Sequence, residues 1–125
     1  MPKRRFSRYK VSSLESLQVK FDRARPDERL ITVSRDGCGF CGFKNDPELQ
    51  PGKILTSAFK MKDLFEIQVP SKLIYIKLIH ADRDLILYGT QFLEAHAWKI
   101  LPLIAALDKL ADAGMVEIIQ PTDEH

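Results

Sequence analysis

The sequence predicts a mainly β fold, a small antiparallel barrel or sandwich carrying one C-terminal α-helix. Three observations lead there. Between residues 30 and 92, short apolar stretches alternate with period two and are separated by turn residues. From residue 94 the period changes, so that Ile100, Leu103, Ile104, Leu107, Leu110 and Ala111 share one helical face. The chain has 125 residues, 45% hydrophobic and 29% charged, enough for one domain with its own core.

The elements follow in order. Residues 1–10 have no apolar period and are expected to form a basic flexible arm, with Phe6 and Tyr9 as its anchors. Residues 11–125 are expected to form a single domain. Ser12-x-x-Glu15 has the form of a capping box, but Leu17, Val19 and Phe21 alternate, which favours a strand. Pro26 interrupts a charged connection. In the next strand Ile31 and Val33 are expected on one side, Thr32 and Ser34 on the other. Arg35-Asp36-Gly37 breaks that strand as a tight turn, with glycine expected to supply a positive φ. Such a turn gathers Thr32, Ser34 and the Gly37 amide into a small polar cluster at a strand end, suited to a polar ligand.

Asn45-Asp46-Pro47 and Pro51-Gly52 mark the next loop. Ile54–Met61 reads as a strand. In Leu64–Val69, Phe65, Ile67 and Val69 face in while Glu66 and Gln68 face out. Pro70-Ser71-Lys72 is expected to turn the chain. Leu73–His80 is apolar on both faces, and Leu85–Phe92 returns. The helix is expected over about residues 94–113, with Pro102 kinking it or opening its regular part and Gly114 ending it. Trp98 and Ile100 read as packing residues, and Val116–Ile119 as a last short strand.

Charge and cysteine content narrow the function. The net charge is +2, yet the first ten residues hold five cations and no acid, leaving −3 on the rest. A basic arm on an acidic body suits an anionic partner such as a nucleotide, a nucleic acid or lipid headgroups. The acidic body argues against nucleic-acid binding, which favours a basic groove with exposed aromatics. No apolar run is long enough to span a bilayer, and none follows the basic N-terminus, so the expected compartment is the cytoplasm. Cys38-Gly39-Phe40-Cys41 lacks the following helix that stabilises a redox thiolate, and its side chains would lie on opposite faces of a strand. His80, His96 and His125 are not at metal-ligand spacing. No catalytic set is visible.

Several segments together resemble one family. Arg4-Arg5-Phe6-Ser7-Arg8 is similar to the Arg-x-x-x-Arg motif of PilZ domains. Thr32-Val33-Ser34-Arg35-Asp36-Gly37 is similar to their Asp/Asn-x-Ser-x-x-Gly motif. Pro51-Gly52 resembles the turn that opens the next strand, and Gly89-Thr90-Gln91-Phe92 the segment that closes the barrel before a helix. The resemblance implies a six-stranded antiparallel β-barrel with a C-terminal helix, and a non-enzymatic bacterial receptor for cyclic di-GMP with no cofactor or metal. It implies that Arg4 and Arg8 grip the ligand, with Arg5 able to substitute, and that Thr32, Ser34 and Gly37 line its guanine side. The implied partners are cyclic di-GMP and a protein target, motility or surface-attachment machinery being candidates, with the domain a monomer or homodimer.

Chemistry independent of any family agrees. A guanidinium can fork onto guanine O6 and N7, bond a phosphate, or stack on a base. An arm loose in the free protein could fold over such a ligand, the ordering cost offset by charge-assisted bonds. The chain departs from the family pattern at Thr32, which stands where an Asp or Asn is expected. A carboxylate accepts from both N1–H and N2–H of guanine, whereas threonine offers one neutral hydroxyl. Losing a bidentate pair costs roughly 1–3 kcal/mol. The alternative is a PilZ-like adaptor that binds no nucleotide and acts through protein contacts.

Overall fold

The computed structural model describes residues 6–12, 14, 16–21, 29–42, 49–61, 64–80 and 85–119. Eight strands are present among them: β1 (Arg8–Lys10), β2 (Leu17–Phe21), β3 (Arg29–Val33), β4 (Gly37–Gly42), β5 (Ile54–Met61), β6 (Phe65–His80), β7 (Leu85–Phe92) and β8 (Glu117–Ile119). A 3-10 helix, Glu94–Ile100, runs into α1, Leu101–Asp112. The strands form one antiparallel sheet in the order β2-β5-β6-β7-β4-β3-β1-β8. The mainly β class and the C-terminal helix are as expected. The strand count is eight rather than six, because Arg8–Lys10 of the arm and Glu117–Ile119 add to the β3 edge. Among the described residues no pair joins β2 to β8, so the barrel-like sheet keeps two ends.

Alternation along the long strands builds the interior. Cys38 and Phe40 on β4, Leu55, Phe59 and Met61 on β5, Ile67, Val69 and Leu73 on β6, and Ile86, Tyr88 and Phe92 on β7 are all buried. They form two clusters. One includes Phe59, Met61, Val69 and Phe92 and continues into Leu103, Ile104 and Leu107 of α1. The other holds Phe40, Leu49, Leu55, Leu73, Ile86 and Tyr88, with Phe40 stacked on Tyr88 at 5.0 Å between ring centroids. Between them runs a waist of small polar residues, because Ser57, Ser71 and Thr90 each separate members of the two clusters on successive strands. Ser71 Oγ donates to the Leu55 carbonyl at 3.3 Å and Thr90 Oγ1 to the Cys38 carbonyl at 3.1 Å. Ser57 Oγ has no hydrogen-bond partner among the described residues.

The expected turn at Pro70-Ser71-Lys72 is absent: β6 is one strand of 16 residues that passes straight through. The Pro70 carbonyl accepts the Leu93 N–H at 3.0 Å on the β7 side. A residue's N–H and C=O point to the same side of a strand, so the missing N–H also faces β7. The β6–β7 register begins only at Ser71 opposite Phe92, so no ladder bond is lost. Register shifts at Leu73/Tyr75 and Leu78/His80 then bend the strand, which explains its lack of clean alternation. Tyr75 pairs with Gly89, and a Cβ there would come within 2.1 Å of the tyrosine ring. Gly89 is glycine because an aromatic ring occupies its side-chain space.

The expected helix divides in two. Pro102 stands in the first turn of α1, where its missing N–H has no intrahelical partner to lose. Gly114, at φ +77°, ends the helix and donates to the Ala111 carbonyl at 3.0 Å. Trp98 is 65% exposed, contrary to its reading as a packing residue. A 3-10 helix repeats every three residues, so Ala97 and Ile100 share the inward side and Trp98 is turned away. Among the described residues no helix is long and apolar enough to cross a membrane.

Candidate functional site

The polar cluster forms at the β3–β4 hairpin, though not by the route expected. Ser34 N–H donates to the Gly37 carbonyl at 2.9 Å, so the hairpin tip is Arg35-Asp36 and Gly37 already belongs to β4. Gly37 has no positive φ. It is glycine because a Cβ would come within 2.0 Å of the Thr90 carbonyl oxygen. A register shift between Leu30 and Thr32 makes Ile31 a bulge residue, so Leu30 and Val33 are the buried pair rather than Ile31 and Val33. Thr32 lies opposite Gly39, whose side-chain space its hydroxyl borders: a Cβ at Gly39 would be 3.0 Å from Thr32 Oγ1.

Ser34 is buried at the tip, 4% exposed, and its Oγ donates to the Asp36 carboxylate. Asp36 N–H donates back to Ser34 Oγ at 3.3 Å, and the Asp36 carbonyl accepts the Phe92 N–H at 2.8 Å. The tip is therefore tied to the end of β7. Its other side meets the arm, where the Arg35 guanidinium lies over the Phe6 ring, 5.8 Å from the centroid.

Arg8 reaches this region through strand pairing. Tyr9 pairs with Val33 and Lys10 with Thr32, so the same register brings Arg8 level with Ser34. Tyr9 and Val33 are both buried, which puts Arg8, Lys10 and Thr32 on the opposite face. Of the expected site residues, Arg8, Thr32, Ser34 and Gly37 come together around one hairpin. Arg4 and Arg5 lie outside the described residues. The stretch from Arg8 to Lys10 is a strand held between β3 and β8, not a flexible arm, because sheet pairing gives its backbone hydrogen bonds on both sides.

Sequence reasoning missed three charged neighbours. Lys10, two residues after Arg8, shares its face and approaches Glu117 at 3.8 Å. Arg35 and Asp36 are the hairpin tip itself. No local signal marks the first, whose face is set by pairing with β3 and β8, whereas the Ser34–Gly37 spacing of a two-residue hairpin signals the others. Asp36 puts a carboxylate beside Ser34.

The cysteines are scaffold residues. Cys38 Sγ is 3.2 Å from Thr90 Oγ1, and burial pushes its thiol up to about 11, opposed by that contact. Burial also raises the Cys41 thiol, while Arg29 lowers it. Both are free. Among the described residues no group of three or more His, Cys, Asp or Glu could hold a metal.

No family model matches the sequence, and no curated protein matches it. Solved structures match its fold. The chain is similar to the PilZ domain of YcgR from Escherichia coli, described with c-di-GMP, at TM-score 0.66 and 19% identity, covering 90% of this chain and 97% of that one. It is similar to MrkH of K. pneumonia in its c-di-GMP complex, at TM-score 0.69 and 16% identity over 91% of this chain. It is also similar to the Bacillus subtilis inhibitor of motility MotI, at TM-score 0.55 and 12% identity over 87% of this chain. It spans 56% of the MrkH chain and 54% of the MotI chain. The fold is PilZ-like.

Proposed function

We propose that this PilZ-like domain is a non-enzymatic receptor for cyclic di-GMP that passes the signal to a protein partner. One observation carries the reading: β1 lies beside β3 so that Arg8 is level with Ser34 at the β3–β4 hairpin. A guanidinium next to a hairpin of hydroxyl and amide groups can bond a phosphate and stack on or fork onto guanine. Arg4 or Arg5 completes the grip from the same arm. The guanine edge also needs acceptors, which Thr32 offers as one hydroxyl and Asp36 as a carboxylate. The names of the similar structures support the ligand, and MotI's supports a partner in motility.

Because Arg8–Lys10 is already paired with β3 and β8, Arg8 does not have to be ordered on binding, which lowers the entropic cost. A second reading, an adaptor without nucleotide, draws on Thr32 and on the exposed Trp98, Leu101 and Met115. Calorimetry with cyclic di-GMP separates the two. The receptor reading expects heat at micromolar ligand, its loss in Arg8→Ala, and tighter binding in Thr32→Asp. A folded protein that gives no heat at high micromolar ligand leaves the adaptor.

A further inference from the structure

We infer that the Tyr9–Asp108 contact makes β1 a link between the ligand-facing Arg8 and helix α1, so that Tyr9 is a positioning residue for Arg8 and ligand occupancy is felt at the C-terminal end of the domain. The inference rests on the receptor reading above.

β1 is three residues long and pairs through two positions with β3 and three with β8. Of its residues only Tyr9 is buried. So short a strand gains little from backbone pairing, and its place is held also by burial of the Tyr9 ring and of Val11 just after it, whose N–H donates to the Ile31 carbonyl at 2.9 Å. The Tyr9 ring packs in the cluster that includes Leu103, Ile104 and Leu107 of α1. Its hydroxyl donates to the carboxylate of Asp108 on the same helix, 99 positions away. Burial, with the Asp108 bond and charge, pushes the hydroxyl up to about 12, while Arg35 lowers it. The hydroxyl therefore remains a donor to the carboxylate at neutral pH.

The link has two further strands of support. Upstream, Phe6 lies under Arg35 of the hairpin tip, so the segment around Arg8 is held to the hairpin at Phe6 and to the helix at Tyr9. Downstream, β1 pairs with β8, which follows α1 through a turn closed by Met115 N–H to the Leu110 carbonyl at 2.9 Å. A movement of Arg8 toward a ligand thus acts on both α1 and β8. The coupling is reciprocal: if the docked strand favours the ligand, the ligand favours docking by the same factor.

The test uses the full chain and cyclic di-GMP. Tyr9→Phe removes the donor, keeps the ring and changes no charge. Its Kd is expected to weaken about three- to tenfold, the change matching the usual net contribution of one hydrogen bond. Tyr9→Phe with Asp108→Ala is expected to bind no more weakly than Tyr9→Phe alone, since the two groups act through each other. Hydrogen exchange of the wild type is expected to slow in α1 and β8 when the dinucleotide is added. Tyr9→Phe binding as tightly as wild type, while Arg8→Ala does not bind, overturns the link and leaves the receptor reading intact. An additive double variant also overturns it. A wild type that gives no heat overturns the receptor reading and the link together.

Discussion

The central strands β4–β7 and the edge formed by β1 and β8 are built differently. β4, β5, β6 and β7 run 6, 8, 16 and 8 residues, each paired on both sides along much of its length. Their inner faces are buried, and glycines admit a carbonyl at Gly37 and a ring at Gly89. β1 and β8 have three residues each, and the three of β8 are all exposed. The centre is over-determined and the edge is held by a few identifiable contacts. The candidate site lies where the two meet, at the β3–β4 hairpin. Stability and recognition are thus separable by mutation except at Gly37, which belongs to both β4 and the hairpin.

The largest effect is expected inside the scaffold. Phe40→Ala removes a fully buried ring stacked on Tyr88 and should cost about 3–5 kcal/mol in urea unfolding. A smaller loss would mean that the second cluster collapses around the gap, a looser centre than described. Gly37→Ala should follow, at roughly 1–3 kcal/mol, because the clash is with backbone and cannot be relieved by a rotamer. It should also disturb ligand binding by shifting the hairpin tip. A stability unchanged within error would refute the close approach.

Alkaline titration separates the regions by pH. Cys38 in the centre is raised from 9.0 to about 11, and Tyr9 at the edge from 10.0 to about 12. Both are acids whose neutral form the fold favours, so unfolding binds fewer protons than folding above those ordinary values. Their contributions are intact below pH 9 and pH 10 respectively, and are lost as pH rises through 11 and then 12. Urea midpoints from pH 8 to 11 should fall for wild type and fall less for Cys38→Ala. Equal slopes would show that Cys38 is not the titrating group. The smallest effect is expected at the waist. Ser57→Ala removes a buried hydroxyl without a described partner and should stabilise by about 1 kcal/mol. A loss of stability instead would reveal a partner for that hydroxyl.

Local chemistry made part of this legible in advance. Phe65, Ile67 and Val69 alternate against Glu66 and Gln68 because one face meets the core. Pro102 and Gly114 mark the two ends of α1 because one lacks an N–H and the other tolerates positive φ. The candidate residues Arg8, Thr32, Ser34 and Gly37 were legible as two motifs. What escaped were consequences of distant neighbours. Pro70 reads as a turn but is tolerated because its N–H side faces the end of a ladder. Gly37 reads as a positive-φ residue but is required by a carbonyl 53 positions later. Trp98 reads as core but is turned outward by the 3-10 period.

By itself, then, the sequence determined the elements whose cause is local: the alternating strands, the amphipathic helix, and the motifs whose side chains suit guanine and phosphate. Only the tertiary structure decided where Arg8–Lys10 lies. Nothing in Arg8-Tyr9-Lys10 announces a strand, because three residues carry too little periodicity to show one. Pairing with β3 and β8, and a tyrosine reaching an aspartate 99 positions away, make it a strand and bring Arg8 level with the hairpin. The physical reason is range. Propensity and periodicity act over a few residues, whereas hydrogen-bond satisfaction and burial are met by whichever part of the chain the fold brings near.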